Sequence, residues 1–471
     1  MNEIASIQEK SIAEDETIAA ISTPYGEGGI GVVRLSGPLC EPIARTLFKP
    51  KKEFSGFLSH HFHYGEIIDP RTGQAIDETL LVLMKGPKTY TREDIVEIHC
   101  HGGYLILQKV LELALNEGAR MAEPGEFTRR AFLNGRIDLT QAEAVIDVIR
   151  AKTTAALEIA NQLLRGMFYR EMIAFKERLV DHLALIEAHI DFPEEEIEAI
   201  SLREITGNLK GMVDKMEEWI ASYEEGRVFR EGISCAIIGK TNVGKSRLLN
   251  VLLKEDRAIV TAVPGTTRDV IEEVLNIQGI PVRLMDTAGL REAVDFVEQE
   301  GMKKTRERME DADLLLMVID GSLELDEDDL EIIRKVERRK KIVVLNKRDL
   351  PPKIGIEDLR EEFGDTPIVP VSALRGEGIE DLKASIYSTL IHKEIRTSLD
   401  HLIVANVRHK MALARAKESL SNAIVGLDEE RSLEFIAFEI RSVLEALGEL
   451  VGETASEDVL DRIFEQFCIG K

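Results

Sequence analysis

Cysteine is scarce. Cys40, Cys100, Cys235 and Cys468 are the four in 471 residues, far apart and without C-x-x-C spacing. That excludes a disulfide framework or a cysteine knuckle for metal and suits a reducing compartment. Positive charge is also short. Lys and Arg total 60 against 85 Asp and Glu, a formal charge of −25, so the chain as a whole does not attract nucleic acid. Any RNA contact must be local or shared with a partner. Long apolar runs are missing too. The strongest, Leu314 to Ile319, is far too short to span a bilayer, and Met1-Asn2-Glu3-Ile4 opens an acidic, mixed segment without the basic region and apolar stretch of a secretory leader. A soluble cytoplasmic protein with no membrane partner is expected. Core material is plentiful: 44% of the residues are hydrophobic, and the length suits roughly three domains.

Against this background one stretch stands out. Ile233 to Ile238 is an apolar run, Gly239-Lys240-Thr241-Asn242-Val243-Gly244-Lys245-Ser246 follows, and Arg247 to Leu253 continues with helical spacing. Strand, glycine loop and helix in that order form a phosphate loop. Its backbone N–H groups face the phosphates, Lys245 reaches the β- and γ-phosphates, and the Ser246 hydroxyl suits magnesium. Further stretches make the site one for GTP. Asp286-Thr287-Ala288-Gly289 ends the strand Val282 to Met285, where the carboxylate can hold the water shell of the metal. Asn346-Lys347-Arg348-Asp349 ends the strand Ile342 to Leu345. There Asp349 can accept the ring N–H and the exocyclic amine of guanine, with Asn346 at the opposite edge of the base. Adenine lacks that amine and would leave the carboxylate unpaired, a difference worth roughly three to five orders of magnitude. Ser372-Ala373-Leu374, after Ile368 to Val371, supplies the last loop around the base.

Elsewhere, Thr17 to Ser22 reads as a strand, and Gly26-Glu27-Gly28-Gly29-Ile30-Gly31 as a turn between strands, because the β-branched Val32-Val33 follows it and not a helix. Thr79 to Met84 and Ile95 to His99 look extended, and Leu105 to Asn116 helical, which makes an α+β module. His60, His61, His63, His99 and His101 lack a carboxylate or cysteine at ligand spacing, and alternation on a strand parts neighbours to opposite faces, so no metal centre is expected there. From Leu139 to Ile190 apolar residues recur at three- and four-residue intervals, predicting long helices. Ser201-Leu202-Arg203-Glu204 has capping-box spacing and opens another. Leu433, Ile436, Ala437, Ile440, Leu444 and Leu447 line one helical face. The chain reads as multidomain α/β: an N-terminal α+β module over 1–137, a helical bundle built from 138–231 and 393–471, and a Ras-like P-loop domain over 232–392 inserted into it.

Nearly end to end the chain resembles the bacterial tRNA-modification GTPases of the MnmE (TrmE) family. The resemblance rests on Thr23-Pro24 to Arg34, Pro124-Gly125-Glu126-Phe127-Thr128, Ala131 to Gly135 with Asp138-Leu139, Asp191-Phe192-Pro193, the GTP motifs, and Phe467-Cys468-Ile469-Gly470-Lys471. It implies an N-terminal module that binds 5-formyl- or methylene-tetrahydrofolate and forms a homodimer. It also implies a flavin-dependent partner of the MnmG (GidA) type that carries FAD, in a heterotetramer or larger assembly, and an aminomethyl or carboxymethylaminomethyl group placed on carbon 5 of the wobble uridine of certain tRNAs. The folate contacts of the family fall on Arg34, Glu97, Arg136 and Lys471, Arg136 standing where some members carry lysine. Without the resemblance, Arg34 and Glu97 read as ordinary strand charges. Cys468 matches a family cysteine, and both a packed thiol and a catalytic role stay open for it.

The resemblance also bears on hydrolysis. Leu290 occupies the place where Ras-type enzymes carry a water-orienting glutamine, and the family points to Glu298 in its stead. An arginine finger is worth roughly 10³ to 10⁵ in rate. The family supplies a cation instead as potassium, which would be ligated by Asn242 and by the backbone carbonyls of Thr261, Val263 and Thr266 in the loop Thr261-Ala262-Val263-Pro264-Gly265-Thr266-Thr267. Thr267 would join Ser246 on magnesium. Two other readings compete: a ribosome-assembly GTPase switch, which would need a basic RNA module not visible here, and a folate sensor without need of Glu298.

Overall fold

The computed structural model describes residues 16–24, 26–52, 55–192, 202–256, 273–286, 312–337, 339–391 and 404–471. The chain forms two compact units. Of the described residues, the first comprises 16–146 and 448–471, and the second 147–447.

The first unit is built on seven strands: β1 (Ile18–Ile21), β2 (Gly28–Ser36), β3 (Phe48–Pro50), β4 (His61–Ile68), β5 (Ala75–Met84), β6 (Ile95–Gly102) and β7 (Arg120–Met121). They lie in the order β3-β4-β5-β6-β2-β1-β7, antiparallel except for β1 with β7. Alternation along each strand decides which residues share a face. Val33 and Leu35 of β2, Leu81 and Leu83 of β5, and Val96, Ile98 and Cys100 of β6 face one way. They are buried against Ile43, Ala44 and Leu47 of helix Cys40–Leu47 and Leu107, Val110 and Ala114 of helix Tyr104–Asn116. The odd-numbered partners on β6, Glu97 and His99, are left on the opposite face, as is Arg34 of β2. That face is partly covered by helix Glu126–Leu133, whose Phe127 is buried with Ile18, Ala20 and Ala122. The end of the chain joins this unit. Leu460, Ile463, Phe464 and Phe467 pack on Leu139, Ala142 and Ile146, and Ile469 forms an antiparallel bridge with Pro124.

Among the described residues the second unit contains six strands: β8 (Ile233–Ile238), β9 (Glu273–Ile277), β10 (Ile280–Asp286), β11 (Leu314–Asp320), β12 (Lys341–Asn346) and β13 (Ile368–Pro370). Their order is β13-β12-β11-β8-β10-β9, parallel except for the β9–β10 hairpin. β11 and β12 are almost continuously apolar and buried, as befits parallel strands covered on both faces. Helices from both sides of this sheet in the chain pack together. Helix Leu202–Ala221 lies along Val407–Asp428, with ion pairs Lys417 to Glu217 at 2.9 Å and Lys210 to Asp428 at 3.2 Å. Phe175 meets Trp219 at 5.3 Å between ring centroids. Among the described residues no helix is long and apolar enough to cross a membrane, and none of their His, Cys, Asp and Glu side chains cluster as a metal site.

Candidate functional site

In the second unit, β8 runs into the loop 239–244 and then into helix Lys245–Asp256. The loop owes its path to backbone angles that few residues accept. Gly244 has φ +102°, and a Cβ there would stand 2.3 Å from Asn346 Nδ2, so only glycine fits. Asn242 takes φ +64° and is exposed, a left-handed conformation that asparagine tolerates better than most. Val243 is buried with Leu248 and Leu252, which fixes the start of the helix on the sheet. Lys245 Nζ donates to Gly239 O at 2.8 Å and to Lys240 O, while Ser246 and Arg247 are exposed beside it.

The base-side residues gather at the ends of β12 and β13. Asn346 is 2% exposed, and its Nδ2 donates to Val243 O at 2.7 Å while its Oδ1 accepts from the Ala373 N–H at 3.0 Å. Its amide therefore ties the phosphate loop to the loop holding Ser372, Ala373 and Leu374. Ser372 Oγ donates to Asp349 Oδ1 at 2.6 Å, and this bond is the first cause that holds the Asp349 carboxyl below its ordinary range. A fixed, ionised carboxylate is what an amide-and-amine edge requires. Lys347, at φ +65°, sends its Nζ to Asp320 Oδ2 at 2.6 Å. Burial of Asp320 opposes its charge, yet the Lys347 ammonium and the Ser322 hydroxyl outweigh it and lower its pKa. Sequence reasoning did not single out Asp320, and its place at the end of a fully buried strand is the signal that was available. β10 ends on Asp286, in register with Ile237 of β8 just ahead of the phosphate loop. Thr261, Ala262, Val263, Pro264, Gly265, Thr266, Thr267, Thr287, Ala288, Gly289, Leu290 and Glu298 lie outside the described residues.

The first unit holds a second cluster. Arg34 and Glu97 stand opposite one another in the β2–β6 register, with Nε donating to Oε1 at 2.8 Å. Arg34 also donates to Gly470 O at 3.4 Å, and its guanidinium lies 5.7 Å from the centre of the Phe127 ring, within cation–π range. His99 Nε2 is 3.4 Å from the other Glu97 oxygen. Lys471 is half-buried here; burial first, and then the Arg34 charge, push its pKa down. Arg136 is exposed, donates to Tyr90 O at 3.1 Å and sits 4.7 Å over the Tyr90 ring. The charges of Arg136 and Arg34 both act on the Tyr90 hydroxyl, whose pKa burial raises. Cys468 is exposed, and its carbonyl accepts from the Lys471 N–H at 3.3 Å. Glu97 and Arg34 share one sheet face, Lys471 comes to the same pair from the end of the chain, and Arg136 stands over Tyr90. Phe127 and Tyr90 adjoin this cluster and had no site role assigned from the sequence, and His99, weighed there only as a metal ligand, lies beside Glu97.

The family model described as the MnmE helical domain matches residues 139–468, and that of the GTP-binding protein TrmE N-terminus matches residues 17–136. A tRNA modification GTPase MnmE of Geobacter sulfurreducens is 52% identical over 97% of this chain and 99% of its own length. One from Thermoanaerobacter pseudethanolicus is 48% identical over the same share of this chain and 99% of its own. With identity of that order along nearly the whole of both chains, and a guanine-nucleotide site assembled as described, the chain belongs to the MnmE family of tRNA-modification GTPases.

Proposed function

We propose that this GTPase serves the wobble position of tRNA: together with a flavin-dependent partner of the MnmG type, it adds an aminomethyl or carboxymethylaminomethyl group to carbon 5 of the wobble uridine. The observation that carries the reading is the Arg34–Glu97–Lys471 cluster standing in a chain whose full length matches tRNA-modification GTPases. The folate expected there fits the donor set. Glu97 would accept from the amide-and-amine edge of a pteridine, and Lys471, Arg34 and Arg136 would hold the glutamate tail. A bound one-carbon tetrahydrofolate, 5-formyl or methylene, supplies the carbon. Cys468 is exposed at the same end of the chain, where a nucleophilic role is chemically feasible.

In the GTP site, Lys245 would stabilise the β- and γ-phosphates and Ser246 with Thr267 would hold magnesium. The exposed, left-handed Asn242 suits a potassium ligand beside the phosphates, completed by carbonyls of Thr261, Val263 and Thr266. With Leu290 unable to orient water, Glu298 takes that task. Potassium would order the loop, the two GTP domains of a homodimer would meet, and hydrolysis would drive a conformational cycle in a cytoplasmic complex with the partner and tRNA.

The test has two arms. GTP turnover by the purified chain is measured in potassium and in sodium at equal ionic strength. Strong acceleration by potassium alone is expected, and equal rates would sink the cation mechanism. Wobble-uridine modification is then assayed in a deletion strain with and without this gene. Unmodified wobble uridine in the deletion strain, with modification restored by the gene, is expected, and normal modification in its absence would return weight to a ribosome-assembly switch or a folate sensor.

A further inference from the structure

Among the described residues, side-chain polar contacts pin the phosphate loop at two points, and only one of them, Asn346, is a residue to which the GTP motifs give a part in the nucleotide site. The other is Lys240. Its Nζ lies 2.6 Å from Asp326 Oδ2 and 2.7 Å from Asp329 Oδ2. These carboxylates open helix Glu327–Lys335. Asp326 Oδ1 accepts from the N–H groups of Asp328 and Asp329 at 3.1 and 3.2 Å, and Asp329 Oδ2 accepts from the Asp326 N–H at 3.3 Å, a reciprocal capping box. The Asp326 side chain is 58% exposed, whereas that of Asp329 is 7% exposed and that of Lys240 19%, so the Asp329 arm of the bridge is shielded. A carboxylate so placed is costly unless a cation compensates it. The hydrogen bond from Lys240 is the first cause that lowers the pKa of Asp326.

We infer that Lys240 is a positioning residue of the nucleotide site, and that its bridge to Asp326 and Asp329 sets the phosphate loop for the polyphosphate of GDP and GTP. The residue being clasped is also one that seats Lys245. Lys240 O accepts from Lys245 Nζ, as Gly239 O does at 2.8 Å. Holding the Lys240 peptide in place therefore holds the acceptors from which the phosphate-binding ammonium departs. The bridge also offsets one of the two carboxylate charges that stand beside a loop which must receive a highly charged anion. Both effects act on groups present in the GDP and GTP complexes alike, so they govern affinity for both nucleotides more than the bond-breaking step.

The experiment compares the full chain with Lys240→Met and Lys240→Arg. It reads GDP and GTP affinity by fluorescent-nucleotide competition, and kcat at saturating GTP. Lys240→Met is expected to weaken both nucleotides by about 10- to 100-fold while kcat stays within about threefold, and Lys240→Arg, which keeps the ion pairs, to recover most of the affinity. Affinity unchanged in Lys240→Met, a loss of kcat with affinity intact, or an arginine variant as weak as the methionine one would each overturn the assignment. Should circular dichroism show that Lys240→Met is unfolded, Lys240→Gln carries the same outcomes: weakened binding of both nucleotides supports the bridge and unchanged binding refutes it.

Discussion

Arg34 and Glu97 face each other across β2 and β6 with Nε 2.8 Å from Oε1, and Lys471 brings a second cation to the same pair. That addition has a cost. The Lys471 pKa is depressed by burial and by Arg34, so near its lowered pKa the folded chain binds fewer protons at this site than the unfolded one. Such a group destabilises the fold while charged, and the penalty is lifted as pH rises through the lowered pKa toward the ordinary value of about 10.4. Lys471→Met is therefore expected to raise the melting temperature of the first unit at neutral pH, with a gain that shrinks as pH approaches that value. If the cluster takes tetrahydrofolate as proposed, the same change should weaken that binding by about 3- to 10-fold through loss of one anion contact. Calorimetry across pH with a binding titration checks both, and a variant that melts lower at neutral pH would contradict the reading.

Within the second unit, Thr153 holds the β9–β10 hairpin. Its Oγ1 donates to Gly279 O at 2.7 Å and accepts from the Ala156 N–H at 3.2 Å, capping helix Thr154–Leu164. The hairpin turn has no room for a side chain: Gly279 has φ +96°, and a Cβ there would meet Ala155 Cβ at 2.9 Å. Ile277 and Ile280 on either side share a core with Ile159 and Phe229. Gly279→Ala is expected to destabilise the unit by about 1–3 kcal/mol through strain and overpacking, and Thr153→Ala by about 1–2 kcal/mol through loss of the cap and of the bond to the hairpin. Urea denaturation of each variant gives these values. A stabilising Gly279→Ala would show that the turn relaxes freely.

The GTP motifs were legible because each sits where an apolar strand stops, a local pattern that needs no knowledge of the rest of the chain. The strands around Leu314 and Ile342 were readable for the same reason, being buried on both faces and so almost unbroken in their apolar runs. What a residue does across the fold was not legible. Lys240 and Asp326 are 86 positions apart and Arg34 and Glu97 63, and each is locally an ordinary charge in a polar or alternating stretch. Only strand register and loop placement bring them together. Likewise the apolar face of Leu433 to Leu447 announced burial without a partner, and nothing local told that the residues just beyond it, 448–471, gather with the N-terminal sheet.

Asn346 and Asp349 come from one motif but do different work, and a pair of substitutions separates them. Asn346 is buried and spends its amide on Val243 O and the Ala373 N–H, at 2.7 and 3.0 Å. Asn346→Ala leaves two buried backbone groups unpaired at about 1–3 kcal/mol each. The loss falls on loop placement and so should weaken any nucleotide, GDP and XDP alike, by about 10²-fold or more. Asp349 is a half-buried carboxylate steadied by Ser372 at 2.6 Å, and on the reading of its motif it pairs with the base. Asp349→Asn offers an amide donor where the carboxylate accepted. Guanine, with its amine at that position, is then mismatched, while xanthine, with a carbonyl there, is matched. GDP affinity should fall and XDP affinity rise, moving their ratio by about 10²-fold or more. Competition of GDP and XDP against one fluorescent nucleotide measures all these changes. A base preference altered by Asn346→Ala, or left unaltered by Asp349→Asn, would mean that the two side chains do not divide the site between loop and base in this way.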